Sequence, residues 1–238
     1  MSERGGFYTF PLCALAMPGE WSDVLPLTFG YGVIHYLNQT MPGWRQSRTE
    51  AIDKAREDIG FSGGTLQVYI DGYNAVESFV NQWNQSGRKT FPVRIARPLF
   101  FECRDGEGIT EREFRILAAV FSVIGTKGYN RAGWEIIQWR AAGYLQRPPQ
   151  EQAAKLYPRG QIERSLIELR SRGLITCFSY GKGHGGIRYW APGTMPLEKL
   201  AHAVLAHLNR AKEKRMSDAQ ASRKLCDQMP LLTNVSVT

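Results

Sequence analysis

Two groups of residues in this chain have the types and spacing for chemistry. Arg159, Gln161, Arg164, Ser165, Glu168 and Arg172 fall in one short stretch, and Lys182, His184 and Arg188 follow it closely. Guanidinium and ammonium groups neutralise phosphates, while Gln, Ser, Glu and Arg side chains can exchange hydrogen bonds with base edges. That is an inventory for gripping a nucleic acid. The second group is Tyr69-Ile70-Asp71-Gly72-Tyr73-Asn74, in which Asp71 could hold a divalent cation for phosphoryl transfer, a task that needs several carboxylates around the metal. After Asp71 the carboxylates up to residue 105 are Glu77, Glu102 and Asp105. An Asp-Gly pair after a strand is more often a turn, in which the Asp bonds its own backbone.

Other catalytic arrangements are weakly represented. The histidines are His35, His184, His202 and His207, and the last two are not spaced to share one helix face. The run Gly181-Lys182-Gly183-His184-Gly185-Gly186 lacks the Gly-Lys-Ser/Thr ending of a phosphate-cradling loop and joins two strands instead of opening a helix. Cys13, Cys103, Cys177 and Cys226 are scattered singly, without metal-ligand spacing, so reduced buried thiols are expected and structural zinc is not. No catalytic residue, metal or cofactor is assigned.

The elements that must position the basic residues are marked by local signals. Ile162, Leu166 and Leu169 recur at steps of four and three, which predicts one buried helical stripe, with Arg164, Glu168 and Ser171 opposite. Pro158 suits the start of that helix and Gly173 its left-handed cap. Residues 174–180 and 187–191 are rich in β-branched and aromatic types, which predicts two strands around the glycine-rich loop. That loop can approach a phosphate closely and offers Lys182, with Arg188 on the returning strand. Upstream, Thr110 and Glu113 have capping-box spacing for a helix to Ile124. Residues 130–143 read as a second helix, with Trp134, Ile137 and Ala141 inward and Arg131 and Arg140 left for solvent or phosphate.

This order of helix, glycine, strand, glycine-rich loop and strand resembles the winged helix-turn-helix DNA-binding proteins. The pattern of their recognition helix is matched by Ile162, Arg164, Ser165, Leu166, Leu169, Gly173, Leu174 and Ile175. The resemblance implies that the helix from Arg159 enters a major groove, with Gln161 and Arg164 nearest the bases and Ser165 and Glu168 as further candidates. Arg172, Lys182 and Arg188 would then hold phosphates, with Arg159 and His184 as further DNA-binding candidates. The family joins its second and third helices by a tight turn, whereas residues 144–157 intervene here and include Arg147-Pro148-Pro149. The motif around Asp71 is similar to the strand-end signature of the NYN nucleases, which implies a metal-ligand role for that residue.

Charge points the same way. Residues 1–105 hold 10 Lys+Arg against 11 Asp+Glu, a net of −1, and residues 106–238 hold 20 against 11, a net of +9. The whole basic excess therefore lies in the half with the helix and hairpin, where a polyanion would release counterions on binding.

The N-terminal half reads as a mixed α/β domain, residues 1–105. Phe7 to Met17 is expected as a strand, Trp21 to Leu37 as a helix kinked or split by Pro26, Gly30 and Gly32, residues 48–59 as a charged helix after Ser47, Leu66 to Ile70 as a strand, Tyr73 to Trp83 as a helix, and Phe91 to Phe101 as a long strand. Residues 106–195 form the winged helix-turn-helix domain and residues 196–238 a C-terminal helix, over about 197–215, with a loose tail. The fold class expected is α+β. The chain has 238 residues and 43% hydrophobic composition, enough for real cores, with no apolar run long enough for a membrane span and no secretory signal. A cytoplasmic location is expected.

The functional expectation is a sequence-specific double-stranded DNA-binding protein without enzymatic activity, a transcriptional regulator working as a homodimer or in a larger complex. The alternatives are a DNA-binding subunit of a nucleic-acid machine, such as a replication initiator or a mobile-element or defence complex, and a metal-dependent nuclease at Asp71.

Overall fold

The computed structural model describes residues 7–59, 66–96, 109–125, 128–181 and 187–228. The chain divides into two compact units, Met1–Met195 and Pro196–Thr238. Its described part is predominantly helical, with two small antiparallel sheets.

The first unit opens with β1 (Phe7–Pro11), paired antiparallel with β2 (Pro92–Ala96). Tyr8 and Phe10 alternate along β1, lie opposite Ile95 and Val93, and all four are buried, as the two-residue period of a strand demands. Pro11 stands opposite Pro92 at the end of the ladder, where neither residue has an N–H to donate. The expected strand to Met17 therefore stops early, and Leu12–Ala16 winds into a 3-10 helix.

Three helices follow, α1 (Trp21–Thr40), α2 (Arg48–Ile59) and α3 (Leu66–Gln85). Of the two outcomes expected at Pro26, Gly30 and Gly32, a kink or a split, the split does not occur: α1 is continuous from Trp21 to Thr40, and its glycines serve packing. A Cβ at Gly30 would lie 3.0 Å from the Tyr69 carbonyl oxygen, and a Cβ at Gly72 would lie 3.1 Å from that of Leu27, so α1 and α3 meet backbone to backbone. Gly32 leaves room for the ring of Tyr8, whose hydroxyl donates to the Phe29 carbonyl.

Leu66 to Ile70, expected as a strand, forms the first turns of α3. Leu66, Tyr69 and Val76 are buried while Val68 is 55% exposed, so a helical stripe and not alternation decides which side chains face the core. Of the long strand expected to Phe101, Pro92–Ala96 is observed; residues 97–101 and the boundary near 105 lie outside the described residues.

Helix α4 (Glu111–Ile124) starts in a complete capping box: Glu113 N–H donates to Thr110 Oγ1 at 3.3 Å, and Thr110 N–H donates to Glu113 Oε2 at 2.9 Å. The helix is buried nearly all round, from Phe114 and Ile116 to Ile124, which marks it as the centre of the core. Phe10 stacks on Phe114 with ring centroids 6.2 Å apart, and Arg115 donates to the Leu15 carbonyl. The stretches that the sequence separates near residue 105 thus share one core.

Residues 130–131 form a short strand, β3, instead of opening the next helix. They pair with Trp190 and Tyr189, and Trp190 Nε1 donates to the Ala132 carbonyl at 3.1 Å, which holds this stretch extended. Helix α5 (Trp134–Ala141) begins only after Gly133. A 3-10 segment, Gln150–Lys155, leads to α6 (Arg159–Ser171), then β4 (Ile175–Tyr180) and β5 (Ile187–Pro192). The second sheet has the order β3-β5-β4.

The second unit contains α7, which runs from Leu197 to Gln228, well past the end expected near Arg215. Pro230 to Thr238, read as a loose tail, lie outside the described residues. No helix among the described residues is long and apolar enough to cross a membrane.

Candidate nucleic-acid interface

Helix α6 owes its placement to three side chains. Ile162, Leu166 and Leu169 are at most 3% exposed, and burying each contributes about 1.5–3 kcal/mol. Its end is fixed by a Schellman motif: Gly173 N–H donates to Arg170 O and Leu174 N–H to Leu169 O, both at 2.9 Å, with Gly173 at φ +70°. The chain enters β4 directly from that cap. Gly193, just after β5, packs so tightly on the Gly173 carbonyl that a Cβ there would collide with it, and Gly193 N–H donates to Leu174 O at 3.0 Å. Both ends of the hairpin are therefore anchored to the end of α6.

On the outward side, Arg164, Glu168, Arg170 and Ser171 are exposed, and Gln161 and Arg172 are half-buried. Arg159 pairs with Glu163 at 3.0 Å, and Arg188 on β5 reaches the same carboxylate at 3.9 Å. The guanidinium of Arg159 also lies 5.4 Å from the ring centre of Trp134 on α5. Burial pushes the Cys177 thiol up, while Arg170 and, less strongly, Arg188 pull it down. Lys182 and His184 lie outside the described residues.

Three expected contacts are placed differently. Ser165 is 1% exposed and accepts a hydrogen bond from Arg112 Nε at 3.0 Å; it ties α6 to α4 and cannot reach a base. Arg140 is half-buried, and its Nη1 donates to Ser122 Oγ at 3.1 Å; burial lowers its pKa. It is not left to solvent. Arg131 is exposed but sits on β3 and not on a helix.

Asp71 lies inside α3 and not at a strand end, and it accepts from Gln67 Nε2 at 2.8 Å. Its neighbour Gly72 is the contact point with α1. Among the described residues no group of three or more His, Cys, Asp or Glu is placed to hold a metal ion.

Two residues of the surface escaped the sequence reading. Glu163 was detectable from its four-residue spacing with Arg159. Ile167, 62% exposed, is an apolar side chain off the buried stripe, in the midst of the polar face. The Arg112–Ser165 bond, by contrast, joins residues far apart in sequence and has no local signal.

A compact helical arrangement followed by a small antiparallel hairpin is consistent with a helix-turn-helix-like organisation. Comparison with protein families, with curated proteins and with solved structures finds no match.

Proposed function

We propose that this protein binds double-stranded DNA sequence-specifically through the outward face of α6 and the β4–β5 hairpin, and that it acts as a transcriptional regulator. The observation that carries this reading is the meeting of helix and hairpin cations at one place: Arg159 of α6 and Arg188 of β5 share Glu163, and both hairpin ends are tied to the α6 cap. Arg164 and Gln161 are the base-reading residues in this proposal, with Glu168 beside them. Ile167 adds an apolar group of the kind that meets a thymine methyl. Arg159, Arg172 and Arg188, with Lys182 and His184 of the loop, hold the phosphate backbone.

The test is a gel-shift series at two salt concentrations, followed by selection of bound sequences from a random pool. Arg164→Ala relaxes preference at one position by about 1–3 kcal/mol, whereas Lys182→Ala weakens all sequences alike. Wild-type binding by both variants overturns the proposal.

A second reading, a DNA-binding subunit of a larger nucleic-acid machine, is favoured by the shared core. The helices and hairpin are not a detachable module, because α4 packs against β2 and the Leu12–Ala16 turn as well as against α5 and α6. A single stable complex of the purified protein with its operator, without further subunits, favours the regulator.

A further inference from the structure

An open cleft of about 650 Å³ lies between the end of α3, the turn after it, the end of α5 and the loop that follows, a volume suited to a small-molecule ligand. Among the described residues its walls carry Arg88, Lys89, Arg140 and Arg147 and no Asp or Glu. Among the described residues none of the four has a carboxylate partner. Cations that line one cleft repel one another, so an anion in the cleft gains from all of them.

Two of these cations are held in place. Arg88 lies over the rings of Trp83 and Tyr144, 4.9 and 5.8 Å from their centres, and those rings touch each other at 5.1 Å. Arg140 is fixed by its bond to Ser122, while its Nε is buried without a hydrogen-bond partner. A phosphate oxygen is the acceptor that guanidinium groups such as those of Arg88 and Arg140 suit best. Arg88 already covers one face of the Trp83–Tyr144 pair. Phe91, in the same cleft, is 50% exposed, which leaves an aromatic surface open for a flat partner.

We infer that this cleft binds a nucleotide, its phosphates among Arg88, Lys89, Arg140 and Arg147 and its base against Phe91. The side chains involved are distinct from those of the proposed DNA surface, so the inference stands apart from the DNA-binding reading. It gives the protein a place for a small effector.

The experiment is calorimetric titration of the full-length protein, without DNA, using adenosine 5′-diphosphate, inorganic pyrophosphate and adenosine. The expected result is saturable binding of the diphosphate, weaker binding of pyrophosphate and none of adenosine. The exposed-site variant Lys89→Glu/Arg147→Glu, its fold checked by circular dichroism, loses about tenfold or more in affinity, as removal of charge-assisted bonds requires. Arg140→Gln does the same if it folds. Absence of binding by both phosphate probes overturns the inference, as does unchanged affinity in the double variant. Pyrophosphate binding as tightly as the diphosphate overturns the base contact, and adenosine binding equally well overturns the phosphate contact.

Discussion

Glu163 on α6 and Arg188 on β5 stand 3.9 Å apart across the junction of helix and hairpin, and the same carboxylate holds Arg159 at 3.0 Å. These partly exposed pairs contribute little to stability. In the proposed DNA-binding mode their consequence is for binding, because the two cations assigned to the phosphates are occupied by an internal anion. Glu163→Gln frees both, and the expected outcome is a several-fold tighter complex with DNA and a steeper fall of affinity with salt, by about one additional phosphate contact. A salt series of binding isotherms measures both. Unchanged affinity and slope mean that Arg159 and Arg188 do not meet the backbone.

The buried Ser165 separates structure from recognition. Ser165→Ala removes the acceptor of Arg112 Nε and is expected to cost about 1 kcal/mol in urea unfolding. It leaves base preference unchanged, unlike Arg164→Ala. A changed preference with unchanged stability would place Ser165 at the DNA.

Close helix contact makes Gly72 intolerant of bulk. A Cβ there already lies 3.1 Å from the Leu27 carbonyl and 3.3 Å from Gly30 Cα, and both belong to helix backbone that cannot yield without moving α1. Gly72→Val is expected to destabilise the fold by about 1–3 kcal/mol, measured by thermal or urea unfolding, whereas Asp71→Asn changes stability little. Metal-dependent DNA cleavage lost on Asp71→Asn would restore a catalytic reading of this segment.

His35 sets a pH dependence. It stacks on Tyr31, with centroids 5.7 Å apart, and its Nε2 lies 2.9 Å from Gln39 Nε2, a contact in which the neutral ring accepts. Burial lowers its pKa; Glu77 opposes this and Arg94 adds to it. The folded state therefore binds the proton less readily than the unfolded chain. The His35 contribution is present above the unfolded value of about 6.5 and is lost as pH falls below it toward the depressed folded value. Urea midpoints measured across this range fall with pH in the wild type, and the slope flattens in His35→Gln. An identical slope in both overturns the assignment.

Where a segment carries its own signal, sequence and structure agree. The spacing of Ile162, Leu166 and Leu169, the glycine at 173 and the Thr110–Glu113 pair each act within a few residues, through side-chain projection, left-handed backbone or a local hydrogen bond. The corresponding helix, cap and capping box are all observed. Leu66 to Ile70 carries an alternating pattern as well as a helical one, and only the surface it must bury decided between them. Asn130 and Arg131 joined a strand because Tyr189 and Trp190 were there to pair with.

The sequence by itself determined the polar and buried faces of α6, the two strands on either side of the glycine-rich run and the concentration of positive charge after residue 105, because each depends on residue type and short-range spacing. Tertiary structure alone decided that Ser165 is turned inward to Arg112, that Arg140 joins Arg88 around a cleft, and that Gly72 is a packing contact. Those outcomes depend on which distant backbone arrives alongside, and no local pattern encodes the neighbour.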